Sequence, residues 1–329
     1  MPLLFISNLM IIIVNSWFSM WMIMEISLLS IILILLFDKL MKYEVIMKYF
    51  ILQTFNSYLY LMTSIVMITN INKYVLLMVM NMSILMKISI IPFHYWYIKM
   101  INFMNWNNIF LFTTINKIIP IYILMNIFNL MNNNIMMMNM FILILSSFMS
   151  SLFGIYMINL KMIISYSSMI QMSWIMILMM FNEIISMLYF IIYMFVSLTL
   201  YMLLNKMNLI NLFQMNYIKI FNNKLLILLL MVMFSLSSVP PFLGFLMKWI
   251  SIDLMLNLNL NFWMMLMLII NSLISSFFYF RIMFINLLNY FMINKMINNY
   301  LFLNNNLINY KLITINFMNL FMLLIYEIL

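Results

Sequence analysis

Charged residues make up only 6% of the 329-residue chain, where a soluble domain carries about 25%, and hydrophobic residues make up 68%, with a mean hydropathy of +1.16. So few charges cannot cover a water-soluble surface, and the net charge of +9 sits on lysines scattered among apolar stretches, not in a basic stripe of the kind that binds nucleic acid. With no cysteine, one histidine (His94) and two glycines (Gly154 and Gly244), the chain can write no disulfide, thiolate metal site, iron–sulfur ligation, bis-histidine haem, Walker loop or dinucleotide fingerprint.

Taken in order, the apolar segments predict eleven spans, near 2–16, 18–37, 46–69, 74–98, 108–129, 135–158, 162–181, 184–204, 224–252, 262–289 and 307–328. Each approaches the 17–25 residues that cross ~30 Å of hydrocarbon, the first being short. Lipid offers backbone groups no partners, so the spans must be helices. The expected fold is an all-α polytopic membrane bundle of about eleven helices, read as one transmembrane domain over residues 1–329. Residues 290–310 read equally as a loop or a surface helix.

The residue bias indicates an origin. Alanine is absent, Arg281 is the only arginine and methionine occurs 46 times. Residues with GC-rich codons are missing, and the methionine excess suggests a code in which AUA also reads as Met. An AT-rich organelle genome, mitochondrial, is the expectation. The Asn-rich runs at Asn132-Asn133-Asn134 and Asn304-Asn305-Asn306 read as the same drift in loops. No Arg-rich transit peptide is expected of a protein made inside the organelle.

Basic residues orient the bundle. One side holds Lys39, Lys42, Lys48, Lys99, Lys161, Lys206, Lys219, Lys224, Lys295 and Lys311, with Arg281 near a helix end; the other holds Lys73. The positive-inside rule then puts the N-terminus in the matrix and the C-terminus in the intermembrane space of a mitochondrial inner membrane. With glycine and alanine nearly missing, close helix packing falls to serines such as Ser146-Ser147 and Ser165 with Ser167-Ser168.

Ionisable residues inside the spans come next. Glu25 lies well within the second segment. Lys87 stands about 16–20 Å from either end of the fourth at ~1.5 Å per residue, beyond the reach of a snorkelling lysine. Lys117 lies inside the fifth. Buried charges of this kind mark ion or proton pathways by default, although Glu25 could also be a structural counter-ion. Lys248, five residues before Asp253, reads equally as snorkelling or functional. Two spans contain prolines that remove a helix hydrogen bond and clash with the preceding turn: Pro92 in Ile90-Ile91-Pro92-Phe93-His94, and Pro240-Pro241 in Ser237-Ser238-Val239-Pro240-Pro241-Phe242. Broken spans beside buried lysines point to an ion path near the midplane. His94, two residues after Pro92, reads either as a satisfied core histidine or as a proton-relay group.

Five motifs in register carry a resemblance. NSWFSMWMIMEISLLSIILIL (15–35), MKISIIPFHYW (86–96), INKIIPI (115–121), SYSSMIQMSW (165–174) and SSVPPFLGFLMKW (237–249) resemble signatures of the chain 2 family of NADH-ubiquinone oxidoreductase, antiporter-like subunits of the membrane arm of respiratory complex I. The similarity covers an antiporter-like core from about 15 to 250; helices over about 251–329 match in hydropathy alone. The resemblance implies that Glu25 and Lys87 form an intramembrane ion pair, that Lys117 is a central lysine, that Lys248 belongs to a second broken helix, and that His94 joins the relay. Gln171 stands where many relatives have histidine, so a relay step there needs an amide and water or bypasses the site. Lys99 replaces an acidic or proline-flanked loop of relatives.

The resemblance further implies a proton-translocating subunit of an NADH:ubiquinone reductase that carries no redox centre or cofactor of its own. NADH, FMN, iron–sulfur clusters and ubiquinone would be bound elsewhere in the complex, and the chain's partners would be other membrane-arm subunits and lipid. A free-standing secondary cation/proton antiporter is the competing reading, and a structural spacer a third. The energetics are accessible: about 4.6 kcal/mol separates a reference lysine from one that releases its proton at pH 7. A Glu–Lys contact at ~5 Å in an effective dielectric of 20 is worth about 3 kcal/mol of that.

Overall fold

The computed structural model describes residues 1–38, 40–67, 73–212, 214, 223–258 and 262–297, with side chains at 223–224 and 286–297 excepted. It is all-helical apart from an isolated bridge between Asn159 and Asn211. Among the described residues, six helical stretches are long and apolar enough to cross a membrane: Trp17–Leu36, Trp106–Phe128, Asn133–Tyr156, Leu160–Met179, Glu183–Met207 and Phe262–Ile285. The chain is therefore a polytopic membrane helix bundle. It divides into two compact units, one of residues 1–150 and 168–188, the other of 151–167 and 189–329.

The first unit opens with α1 (Pro2–Ile13), whose 12 residues extend only ~18 Å. In α2 (Trp17–Leu36) the Ser16 side chain caps the N-terminus by accepting from the Ser19 amide at 3.3 Å. The next helix, α3 (Tyr43–Val66), is turned polar side inward. Gln53, Asn56, Ser57, Thr63 and Ser64 are buried, while Ile51, Phe55, Met62 and Ile65 are exposed. A helix in lipid gains nothing by hiding its apolar face, so this inversion marks α3 as the wall of a polar interior. The unit continues with α4 (Lys73–Ile88), α5 (Tyr95–Phe103), α6 (Trp106–Thr113), a 3-10 turn (Ile115–Lys117) and α7 (Ile118–Phe128). The start of α6 is held by Asp38, whose carboxylate accepts from the Asn105 amide at 3.1 Å, Asn105 Nδ2 at 2.6 Å and Asn108 Nδ2 at 2.7 Å.

Helices α8 (Asn133–Tyr156), α9 (Leu160–Met179) and α10 (Glu183–Met207) contribute to both units, and α11 (Asn223–Leu236), α12 (Leu243–Asn257) and α13 (Phe262–Ile297) belong to the second. The serines expected to mediate close packing, Ser146, Ser147, Ser165, Ser167 and Ser168, are all buried. Residues 290–297 continue α13, whereas 298–310 and the expected eleventh span at 307–328 lie outside the described residues.

Two expectations about charged residues are corrected. Lys161, assigned from sequence to a loop, is the second residue of α9 and only 5% exposed. Arg281, assigned to a helix end as an interface anchor, stands inside α13. Its Nη2 donates to the Met157 carbonyl at 2.8 Å and its Nη1 donates to that of Ile155. The guanidinium thus satisfies carbonyls left open at the end of α8, a role that the fork of an arginine fills and a single ammonium does not.

Candidate functional site: buried lysines at interrupted helices

Lys87 is the last residue but one of α4 and is 8% exposed. The helix ends there in a Schellman turn: the Ser89 amide donates to the Met86 carbonyl at 3.2 Å and the Ile90 amide to that of Leu85 at 3.1 Å, with Ser89 at φ 73°. Glycine ordinarily takes this left-handed position; in a chain with two glycines, serine does. Three residues on, Pro92 has no amide with which to resume a helix, and α5 begins at Tyr95. Ser89→Gly should relieve the left-handed serine and stabilise the protein by roughly 0.5–1 kcal/mol. A higher melting temperature checks this, and an unchanged or lower one contradicts it.

The turn leaves the Lys87 ammonium at the negative end of the α4 dipole. Its Nζ lies 3.5 Å from Met24 Sδ and borders a cavity of about 20 Å³ lined also by Ser27, Tyr49, Gln53 and Asn116. That space suffices for one water molecule with polar partners. Glu25 is close enough to act on Lys87 through space, but among the described residues no nitrogen–oxygen contact within 4.0 Å joins them. Its Oε1 is buried with no hydrogen-bond partner among those residues, as is Gln53 Nε2. The two members of the expected pair are thus held near each other with the Met24 thioether in contact with the cation.

Lys117 occupies a break not expected from sequence. The Thr113 and Thr114 hydroxyls turn back to the Phe110 carbonyl at 3.3 and 2.6 Å, and Thr114 leaves the ideal helix at φ −119°, ψ −70°. The 3-10 turn follows, and α7 starts immediately after Lys117. Pro120 falls in the first turn of α7, where its missing amide costs nothing. From α1, Asn8 Nδ2 donates to the Ile115 carbonyl at 3.2 Å, occupying one acceptor at the break. Lys117 is 3% exposed and stands at the positive end of the α7 dipole. Its Nζ lies 3.5 Å from Tyr97 Oη and 4.6 Å from the centroid of the Tyr97 ring, and Tyr97 Oη is 2.6 Å from Ser168 Oγ. Lysine, phenol and serine hydroxyl form a connected polar path.

In the second unit, α11 ends at Leu236 and α12 begins at Leu243, with Pro240 and Pro241 between. This end is also a Schellman turn: the Ser238 amide donates to the Ser235 carbonyl at 3.3 Å and the Val239 amide to that of Phe234 at 3.3 Å, with Ser238 at φ 56°. Lys248, 5% exposed, reaches back from α12 and donates to Ser238 Oγ at 2.8 Å. That burial removes the snorkelling reading left open by sequence. Gly244 permits the approach, since a Cβ there would lie against the Ser235 carbonyl, its oxygen inside any possible contact and its carbon at 3.0 Å.

His94 stands at the N-cap position of α5 without a side-chain capping bond and is half-buried, with Nδ1 3.2 Å from the Pro92 carbonyl. Gln171 is buried in α9, three residues beyond Ser168. Sequence reasoning missed Tyr97, Ser168, Tyr49, Gln53, Asn116 and Ser238. Buried polar positions on α3, at Gln53 and Asn56-Ser57, were the available signal for its polar wall. Among the described residues no group of three His, Asp or Glu side chains could hold a metal ion.

Comparison with known proteins identifies the family. The family described as NADH:quinone oxidoreductase/Mrp antiporter, TM matches residues 14–275. NADH-ubiquinone oxidoreductase chain 2 of Rhipicephalus sanguineus is 32% identical over 269 residues, 82% of this chain and 82% of the relative. That of Anopheles gambiae is 30% identical over 294 residues, 87% of this chain and 84% of the relative. A chain of respiratory complex I from Thermus thermophilus with bound aureothin shares the fold, with a TM-score of 0.78 at 14% identity over 95% of this chain and 74% of that one. With the family match running over residues 14–275, and with relatives of 30% and 32% identity covered over more than four-fifths of their own length, this chain belongs to the NADH:quinone oxidoreductase/Mrp antiporter family and, within it, to the NADH-ubiquinone oxidoreductase chain 2 members.

Proposed function

We propose that this chain is a proton-translocating membrane subunit of respiratory complex I, relaying protons through Glu25, Lys87, Lys117 and Lys248, with His94 as an accessory group, while quinone is reduced elsewhere in the complex. The observation that carries the reading is the placing of buried lysines at helix interruptions, each beside polar partners and none in an ion pair among the described residues. Lys87 and Lys117 face helix ends of opposite sign, so a proton moving between them crosses an electrostatic step that a nearby charge can tilt. Glu25 supplies that charge. When it closes on Lys87 the cation is held, and when it withdraws the proton is free to pass toward Lys117.

In the same reading the chain works as a single transmembrane domain of eleven spans, two of them broken at Pro92 and at Pro240-Pro241. Its N-terminus faces the matrix and its C-terminus the intermembrane space of the mitochondrial inner membrane. Its partners are other membrane-arm subunits, and it binds no NADH, FMN, iron–sulfur cluster or ubiquinone itself. The family's inclusion of Mrp antiporters supports the alternative of a free-standing cation/proton antiporter, which would transport in liposomes without other subunits.

Glu25→Gln tests the relay. If about half of the ~3 kcal/mol available to a Glu–Lys contact is used in switching, proton-coupled turnover falls about tenfold while assembly persists. Unchanged turnover and an unchanged proton-to-electron ratio would sink the role of Glu25.

A further inference from the structure

A groove of about 770 Å³ opens beside the start of α3, on the first unit; Tyr49 lines both it and the Lys87 cavity, but none of the buried lysines lines it. Its rim carries Lys42, Lys48 and Lys99 against one carboxylate, Glu44, a net charge of +2. Lys48 pairs with Glu44, the only ion pair among the described residues. Lys99 Nζ rests over the Tyr95 ring at 4.2 Å and Lys42 Nζ over Phe103 at 4.9 Å. An aromatic face steadies an ammonium without being a conventional hydrogen-bond acceptor, so these lysines are positioned rather than neutralised. All three act on one spot: the Glu44 carboxyl is held below its usual value first by the Lys48 hydrogen bond and charge, then by Lys99 and Lys42. The nearby Asp38 does not line the groove; its oxygens are engaged by Asn105 and Asn108.

Two further properties define the occupant. At the start of α3 the Val45 and Ile46 amides donate to the Lys42 carbonyl at 3.0 and 3.3 Å, while the Tyr43 and Glu44 amides have no partner within the helix and Lys42 provides no side-chain cap, so the helix end adds two anion-binding donors to the lysines. From this rim the groove runs along Val45, Ile51 and Leu52, of which Ile51 and Leu52 are 60% and 41% exposed, on a helix of a membrane protein. A basic, donor-rich head continuous with an exposed apolar wall matches an anion that carries a hydrocarbon tail.

We propose that this groove is a binding site for an anionic phospholipid, with its phosphate at Lys42, Lys48 and Lys99 and an acyl chain along Ile51 and Leu52. Glu44 weakens the site by holding Lys48. The assignment stands independently of the proton relay, since none of these residues belongs to it.

The test uses the protein in its native assembly, extracted in detergent and supplied with phosphatidylglycerol or phosphatidylcholine bearing the same photoreactive acyl chain. Adducts are mapped by peptide mass spectrometry. A net charge of two lysines near a membrane surface corresponds to a preference of about thirtyfold, so the anionic probe labels residues 43–52 and 95–103 about thirtyfold more than the zwitterionic one. Inorganic phosphate leaves this labelling intact. The preference falls in Lys42→Gln/Lys99→Gln and rises in Glu44→Gln. Equal labelling of the unaltered chain by both lipids overturns the proposal, and so does displacement by inorganic phosphate, which would mark a site for the free ion. Failure of both probes, with cross-links from these peptides to a neighbouring protein, overturns it in favour of a subunit interface.

Discussion

Lys117→Met should leave the protein folded and assembled but stop proton translocation, lowering coupled turnover by more than about tenfold, or over ~1.4 kcal/mol in the barrier. The expectation follows from the surroundings of the ammonium. Lys117 is buried at a helix interruption, and from it hydroxyl contacts run through Tyr97 Oη to Ser168 Oγ. Hydroxyls pass protons but do not store one near pH 7, so losing the lysine removes the basic group from which these hydroxyl contacts start. Methionine keeps most of the volume, and a buried, unpaired cation contributes little to stability, so the fold should tolerate the change. Arginine should not rescue activity, because a guanidinium does not release its proton. Proton uptake measured alongside quinone reduction in sealed vesicles reads the effect. Turnover and pumping equal to the unaltered protein would assign Lys117 a structural role.

The second large effect is on assembly rather than chemistry. Gly244→Ala should destabilise the second unit by about 3 kcal/mol, at the upper end of the cost of overpacking. Most overpacked sites relax by turning a side chain, but here the obstructing group is the Ser235 backbone carbonyl, fixed by the Schellman turn that ends α11. Accommodation would push α12 away and stretch the 2.8 Å contact from Lys248 to Ser238. Gly154 offers an internal control, since the atoms nearest a Cβ there are side-chain atoms, the Phe278 ring at 3.2 and 3.3 Å and the Tyr166 Cβ at 3.6 Å. Thermal unfolding should show a large drop for Gly244→Ala and a small one for Gly154→Ala. Equal shifts would refute the steric account.

Much of this was legible before the structure. Apolar length located the long helices, and depth within them picked out Lys87 and Lys117, because hydrocarbon makes an unsupported charge too costly to be incidental. Pro92 and Pro240-Pro241 fall in the segments between α4 and α5 and between α11 and α12. The interruption at Thr114–Lys117 was hidden because threonines, which bend a helix by bonding backward, do not announce a break as proline does. Pro120 was the overlooked clue, since a proline in a helix's first turn implies a start just before it. Lys161 and Arg281 were misplaced for a related reason. The positive-inside rule counts basic residues near helix ends and cannot see that Arg281 is recruited to the carbonyls of α8 from a distant segment. Nor does sequence reveal that serines adopt the left-handed positions at Ser89 and Ser238, where glycine would normally signal the turn.

The central claim is that the chain works within an NADH–quinone complex rather than alone. Native electrophoresis of detergent-solubilised mitochondrial membranes, with an in-gel NADH dehydrogenase stain and peptide mass spectrometry of each band, tests it most directly. The account predicts this chain in the large NADH-active band, near equimolar with other membrane-arm subunits. Its presence solely in a small, NADH-silent band would contradict the account and assign the buried lysines to an independent antiporter.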